Sequence, residues 1–223
     1  MSTSYWRGAA EDEAMQDEHG FIWKAMLDTI DSDLAGRRVL DAGCNRGGFL
    51  RLLVDVEGIA EGYGYDPASG AITDARRLAG DRPLTFDVAD IVPDGWGDFD
   101  VVFSHEVLYL LDDLPTHAAS LFGALKPSGS YFAVMGVHKG SPLMSAWHDE
   151  SAVELGLPRL YELDEVARDF EGAGFSVSVA NLKLGFIPVS AHRHGHDHRS
   201  DLLAWLDYYG REKVLLRFTR PDS

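Results

Sequence analysis

Apolar positions along this chain switch repeatedly between two periods. Short β-branched and aliphatic runs at Arg38–Leu40, Ile59–Asp66, Leu84–Asp90, Phe99–Ser104, Ser130–Met135, Phe175–Leu182 and Lys213–Phe218 predict strands. Between them lie stretches of helical spacing: Gly20–Leu34 (with Phe21, Trp23, Leu27 and Ile30), Leu50–Val54, Ala68–Leu78, Leu114–Leu125, Leu163–Glu171 and Asp201–Tyr209. Pro127 and Gly129 stop the fourth of these, and Gly172 and Gly174 the fifth. Phe99–Ser104 is apolar enough to be buried on both faces. Strands alternating with helices in this way predict an α/β fold, a doubly wound and mostly parallel sheet with helices on both faces.

Three stretches fall outside the pattern. Residues 1–18 are polar and acidic, with Tyr5 and Trp6 as their large apolar groups. Val137–Arg159 reads as loop because Gly140, Pro142, Gly156 and Pro158 interrupt it. Gly185–Arg199 is irregular and carries His192, His194, His196 and His198. No linker or repeat divides the chain, so one domain over 1–223 is expected, with a lid or helix at 1–35, a cofactor-binding core at 36–136, and insertions at 137–161 and 185–210 facing the substrate.

The stretch with the clearest chemistry is Asp41-Ala42-Gly43-Cys44-Asn45-Arg46-Gly47-Gly48, between the first strand and a helix. Glycines there let backbone N–H groups approach a ligand closely. The spacing is neither the Gly-x-Gly-x-x-Gly of dinucleotide sites nor a P-loop, since no Lys-Ser or Lys-Thr follows Gly48. An acid directly before the glycines suits a ligand that carries an ammonium group rather than a pyrophosphate. Cys44 is expected to fill space beside that ligand.

This run resembles the first motif of the class I S-adenosylmethionine-dependent methyltransferases of small-molecule type, and the likeness continues in register. Asp66, followed by Pro67, matches the acid after the second strand that holds the ribose hydroxyls. Asp90 and Ile91 match the adenine-binding motif, with Asp87 as the alternative register. Ser104, His105 and Glu106 match the loop beneath the sulfonium. Asn45 departs from the family, which most often has Gly there; Asn tolerates positive φ, so the turn is expected to survive. The resemblance implies a Rossmann-like sheet with an antiparallel last strand. It further implies S-adenosylmethionine as cofactor, S-adenosylhomocysteine as product, and cofactor contacts from Asp41, Gly43, Cys44, Asn45, Gly47, Asp66, Pro67, Asp90, Ile91, Ser104 and His105.

Methyl transfer from a sulfonium is an in-line displacement in which the protein aligns donor and acceptor, sometimes with a general base. His105 and Glu106 are the candidate catalytic residues. Tyr5, Trp6, Tyr109, His138, His192 and His194 are the candidate acceptor-binding residues. The histidine run could ligate a metal, but no cysteine or carboxylate set supports it and no metal is expected.

Charge narrows the partner. With 36 acidic against 20 basic residues, a net charge of −16 repels a phosphate backbone, and no Asn-Pro-Pro-Tyr-like motif follows the fourth strand. A small-molecule acceptor, accepting at O, N or C, is therefore expected, with no nucleic-acid or membrane partner and a homodimer as the assembly to test. A peptide or protein acceptor, a non-catalytic cofactor-binding regulator, and a nucleotide-dependent oxidoreductase are the other readings. A single cysteine, no apolar run of membrane-spanning length and no signal-peptide pattern lead to a cytoplasmic expectation.

Overall fold

The computed structural model describes residues 9–30, 32–186 and 201–222. Tyr5, Trp6 and the histidines at 192, 194, 196 and 198 lie outside the described residues. Seven strands form one sheet: β1 (Arg38–Ala42), β2 (Glu61–Asp66), β3 (Leu84–Val88), β4 (Phe99–His105), β5 (Leu125–Met135), β6 (Ser176–Asn181) and β7 (Val214–Thr219). Their spatial order is β3-β2-β1-β4-β5-β7-β6. β1 through β5 pair in parallel, and β7 enters antiparallel between β5 and β6. This is the mostly parallel sheet with an antiparallel last strand that the pattern and the resemblance lead to.

Strand alternation divides the interior into two cores. On one face α1 (Ala9–Ile30), α2 (Gly48–Leu52) and α3 (Ser69–Ala79) contribute Ile22, Trp23, Met26, Phe49, Leu50 and Ile72, which meet Val39, Phe103 and Val134 of the sheet. On the other, α4 (Leu114–Ala124) and α6 (Leu163–Gly172) bring Ala118, Leu121 and Phe170 against Leu40, Val102, Tyr131 and Phe218. The rings of Phe170 and Phe218 stack at 3.8 Å. Burying side chains of this size contributes about 1.5–3 kcal/mol each. Between β6 and β7 lies α7 (Leu202–Asp207), continued by a wide π-type turn over Tyr208–Glu212. Among the described residues no helix is long and apolar enough to cross a membrane.

Three expectations need correcting. The first helix starts at Ala9, not at Gly20; Ala, Glu, Met and Gln are strong helix formers, so an acidic stretch without apolar periodicity is still helical. Residues 137–159 are not all loop, because α5 occupies Pro142–Leu155. The supposed breakers are its ends. Ser141 caps it by accepting the Met144 N–H, Pro142 sits in the first turn, and Gly156 closes it in the left-handed conformation at φ 64°. Finally, β5 begins at Leu125 rather than Ser130. Leu125 pairs with Phe99 and Ser130 with Val101, so Pro127 and Gly129 occupy a bulge within the strand and Ser128 adopts φ 61°.

Candidate functional site

The carboxyl ends of β1, β2, β3 and β4 converge on the glycine turn between β1 and α2. Gly43 has φ 79° and Gly47 φ 69°. A Cβ at Gly43 would lie 2.5 Å from Val107 Cγ2, and one at Gly47 2.5 Å from Phe86 Cζ. No other residue type fits either position. Asn45 takes φ 46°, the conformation its side chain tolerates. The turn is tied to β2 by the Gly43 and Cys44 N–H groups, which donate to the Tyr65 carbonyl at 2.9 and 3.0 Å. Arg46 braces it from the side through Asp74 of α3 at 2.8 Å.

Asp66 closes this corner. Its Oδ2 accepts the Asn45 N–H at 3.0 Å and its Oδ1 the Ala68 N–H at 2.8 Å, so the carboxylate both shapes the glycine turn and starts α3. An ionised carboxylate has about four lone-pair positions, and these bonds use one on each oxygen. Pro67 is exposed beside it.

Asp41 is buried at the end of β1 and makes no side-chain hydrogen bond or ion pair among the described residues. Burial first, and the charge of Asp66 second, push its carboxyl up to about 8. A buried acid without a partner is costly, and a cation bound beside it would relieve that cost. Cys44 is buried as well, its Sγ only 2.7 Å from where a Cβ at Gly64 would stand. Burial and the two nearby acids hold its thiol well above the ordinary range, so it fills space as a neutral thiol.

At the end of β3, the Ala89 N–H donates to the Asp66 carbonyl at 3.3 Å, which sets Asp90 beside the β2 corner. Asp90 and Ile91 are exposed. Asp87, the alternative register, is instead occupied by Arg76 at 3.2 Å. Of the three acids at these strand ends, Asp66 is engaged by backbone N–H groups, Asp87 by Arg76, and Asp90 is exposed.

The loop after β4 faces the glycine turn, but its side chains divide between two surfaces. Ser104 points into the α4–α6 core, where its hydroxyl bonds the Tyr131 hydroxyl at 2.6 Å and is buried. Tyr109 is buried in that same core. His105, one residue on from Ser104, stands on the α1–α2 face, the face that carries Asp41 on the adjacent strand. Its Nε2 is buried without a hydrogen-bond partner among the described residues. The ring meets His19 of α1 edge to face with centroids 4.5 Å apart. Burial, then His19 and Lys213, hold this imidazole well below its ordinary value.

Glu106 adopts φ 58°, uncommon for a non-glycine residue. Its backbone N–H donates to the Val134 carbonyl at 2.9 Å, its Oε2 accepts the Gly136 N–H at 3.1 Å, and its Oε1 takes the Lys213 ammonium. That ammonium also lies 5.3 and 5.4 Å from the ring centroids of Tyr208 and Tyr209. Gly136 is fixed by the same cluster, since a Cβ there would lie 2.3 Å from the Tyr208 hydroxyl. The Glu106 carboxylate thus anchors the loop to β5 and β7. Of the two sequence candidates for a base, His105 has the unengaged buried nitrogen.

His138 is occupied too. Its Nε2 bonds the Glu212 carbonyl at 2.7 Å, and its Nδ1 accepts the Gly140 N–H at 3.1 Å, so it ties the segment after β5 to the π turn. It also lines a cleft of about 410 Å³ with Lys139 and Glu162. A larger cleft, about 700 Å³, lies at the amino ends of the strands, lined by Arg38, Glu61, Trp96, Asp100 and Lys126. Ligands of such sheets bind at the carboxyl ends. In this cleft Arg38 is engaged by Glu61 and Asp100 by Lys126. Sequence reasoning missed His19 and Lys213. His19 was legible, for His19, Ile22, Trp23 and Met26 share one helical face. Lys213 carried no local signal.

The family model of a methyltransferase domain matches residues 11–178. A curated relative, the tRNA U34 carboxymethyltransferase of Methylococcus capsulatus, is 33% identical over 117 residues; the match covers 48% of this chain and 34% of that protein. The chain therefore spans about a third of that relative's length. Among solved structures, the complex between the Haloferax volcanii Trm112 methyltransferase activator and the putative methyltransferase contains a similar fold. The TM-score is 0.80 at 23% identity, covering 96% of this chain and 95% of that one. An S-adenosylmethionine-dependent methyltransferase from Mesorhizobium loti matches with a TM-score of 0.67 at 19% identity, covering 91% and 98%.

Proposed function

Because the chain belongs to the class I S-adenosylmethionine-dependent methyltransferases, the family of the domain matched over residues 11–178, we propose that it methylates a small-molecule acceptor held between the glycine turn and helix α1. The cofactor supplies a methyl group on a sulfonium centre. The corner fits that cofactor in three ways: Asp41 is a buried acid with no cation among the described residues, Gly43 and Gly47 leave room for close backbone approach, and Asp66 and Asp90 offer carboxylates for ribose and adenine. Asp41 would take the ammonium of the methionyl end, Asp66 the ribose hydroxyls and Asp90 the adenine amino group. The loop after β4 aligns the acceptor, and Glu106, held by Lys213 and Gly136, keeps that loop in place.

The observation that carries the acceptor class is the enclosure of His105. Its Nε2 is buried and α1 covers its ring through His19. A wall this close suits a small molecule entering a dry pocket better than a polyanionic strand, and the net charge of −16 supports that choice. A second reading, an RNA acceptor, is favoured by the Methylococcus capsulatus relative, whose name gives tRNA as substrate. It requires a basic surface from elsewhere, and a partner protein of the activator kind named in the Haloferax volcanii complex could supply one.

Calorimetric titration with S-adenosylmethionine and S-adenosylhomocysteine tests the first half of the proposal, with Asp66→Ala as the weakened control. No binding by the wild type would sink it. The second half is tested by incubating the chain with methyl-labelled donor and a cell extract divided into small molecules, total tRNA and protein. Label in the small-molecule fraction is expected; label confined to tRNA would establish the second reading instead.

A further inference from the structure

We infer that the edge strand β6 is the pairing surface for a second copy of this chain. The two β6 strands run antiparallel about a two-fold axis, so that one sheet continues through both copies. This does not rest on the methyl-transfer reading, because β6 ends the sheet on the side away from the β1–β2 corner. The first observation is which backbone groups β6 leaves open. Arg220 donates its N–H to the Gly129 carbonyl of β5 at 2.9 Å, which fixes the alternation along β7. Phe218, Leu216 and Val214 then bond toward β5, and Thr219, Arg217 and Leu215 toward β6. Their partners Ser176, Ser178 and Ala180 face inward. Val177, Val179 and Asn181 therefore turn their backbone N–H and carbonyl groups away from the sheet, and these groups have no hydrogen-bond partner among the described residues.

The second observation is the contrast with the other edge. On β3 the Gly62 N–H reaches the Pro83 carbonyl and the Ala89 N–H the Asp66 carbonyl, so Leu84, Phe86 and Val88 face outward. There the chain closes its own edge. The Leu84 N–H donates to the Arg82 carbonyl at 2.7 Å, Arg76 donates to the Phe86 carbonyl at 2.8 Å, and Asp87 Oδ1 takes the Val88 N–H at 2.9 Å. Native edges are ordinarily blunted in such ways, or by charge, proline or a bulge. β6 reads Ser-Val-Ser-Val-Ala-Asn, without charge or proline, and its register with β7 is unbroken. Val179 is 60% exposed, although it stands opposite the buried Leu216.

Charge, symmetry and closure choose a second copy as the occupant. Copies of a chain with net charge −16 repel over most of their surface, and β6 is a neutral strip where that repulsion is least. The strip is also self-complementary. With the axis at Val179, this residue faces its own counterpart and Val177 faces the counterpart of Asn181, each pair exchanging its outward N–H and carbonyl groups. Pairing uses up both open edges and leaves a closed β3 edge at either end, so the assembly stops at two. The axis stands perpendicular to the sheet. It keeps the α4–α6 face on one side in both copies and turns the carboxyl ends of their parallel strands in opposite directions. The two glycine corners point away from each other, so cofactor affinity should not depend on pairing.

The test uses the full chain in sedimentation equilibrium over a dilution series, with amide hydrogen exchange read along β6. The wild type is expected to form a reversible dimer, because an edge of six residues is smaller than the interface of a permanent one. Val179→Lys places two like charges on the axis, and Val179→Pro removes an outward N–H without touching the ladder to β7. Both are expected to lose the dimer, and Val179→Lys to keep the wild-type unfolding midpoint and S-adenosylhomocysteine affinity. Exchange at Val177, Val179 and Asn181 should quicken as the wild type is diluted, a readout that needs no substitution. Val179→Cys should cross-link between copies through a short bismaleimide, since the native Cys44 is buried. A wild type that sediments as a monomer at every concentration overturns the inference, as does a dimer that survives both substitutions. Slow exchange along β6 that dilution leaves unchanged would put a segment of the same chain on this edge and overturn it too. The methyl-transfer reading stands or falls separately, on the cofactor titration.

Discussion

Between Arg38 and Gly47 the glycine turn proposed to hold the donor is made by consecutive residues, a strand followed by a turn, to which β2 and the stretch after β3 add Asp66 and Asp90. Opposite it a second cluster draws His19 from α1, His105 from β4, Gly136 from after β5 and Lys213 from before β7. The first is local and depends on backbone conformation; the second exists only once four distant elements have met. One consequence is chemical. A local turn can present N–H groups and an acid to a cofactor common to a whole family, while a wall assembled from several elements can be rebuilt for a new acceptor without touching that turn. Another is energetic, because the two halves should fail in different ways when perturbed.

The largest expected effect breaks the assembled side. Lys213 and Glu106 form a pair whose side chains are 5% and 14% exposed, so Lys213→Met leaves a buried carboxylate without its cation. A loss of about 3–5 kcal/mol is expected, read as a lower midpoint in urea unfolding. Lys213→Met with Glu106→Gln should recover most of it, since the buried charge is then gone. Equal losses in the single and double variants would show that packing on Tyr208 and Tyr209, rather than the ion pair, holds the wall together.

The local side breaks through its backbone. Gly47→Ala puts a Cβ 2.5 Å from the Phe86 ring at φ 69°, and left-handed strain with overpacking predicts a loss of about 2–4 kcal/mol. Cofactor affinity should fall in calorimetry together with stability. If Gly47→Ala bound S-adenosylhomocysteine normally, the turn would not be the donor site.

That division explains what the sequence made legible. Asp41, Gly43, Asn45 and Gly47 stood out because each position has a local reason, an acid before the turn or a positive φ that few residues accept. The strands and the antiparallel last strand were legible from period and resemblance. Glu106 was read as a base from its place after β4, and only the fold shows Lys213 on it, 107 positions away in the chain. Likewise the resemblance implies a cofactor contact for Ser104, while alternation along β4 turns its hydroxyl to Tyr131. The helix α5 is hidden in the sequence because Pro142 and Gly156, which resemble interruptions, are its first turn and its cap.

A smaller effect separates core chemistry from site chemistry. His117 of α4 is buried among Tyr131 and Phe170, and both its ring nitrogens lack partners among the described residues. Burial pulls it down to about 4, below its ordinary 6.5. A histidine depressed in the fold contributes fully above its unfolded value and loses that contribution as pH falls toward the folded one. Between pH 6.5 and 5 the chain should therefore lose about 2 kcal/mol from this residue. His117→Leu should flatten that acid limb of the unfolding midpoint against pH, with cofactor affinity at neutral pH unchanged. A limb that persists in His117→Leu would assign the acid sensitivity to His105 and so to the assembled wall.

The smallest effect sharpens the local side. Asp41 is raised to about 8 by burial and by Asp66, so in the free protein it is largely protonated at pH 6–7 and ionised only as pH passes 8. The sign for stability follows: ionising this buried acid disfavours the fold as pH rises from the unfolded value of 3.8 through 8. An ammonium placed beside it favours the ionised form, so binding below pH 8 should release a proton. Affinity for S-adenosylhomocysteine should then climb with pH by up to about tenfold per unit, about 1.4 kcal/mol, and level off above 8. Calorimetry at pH 6.5 in two buffers of different ionisation enthalpy reads the released proton directly. Asp41→Asn should bind more weakly at pH 8 and lose both the proton release and the pH slope, because an amide in the same place has no proton to give up. Release that survives in Asp41→Asn would move the linkage to Asp66 or Asp90, and the ammonium with it from the end of β1 toward the nucleoside end of the corner.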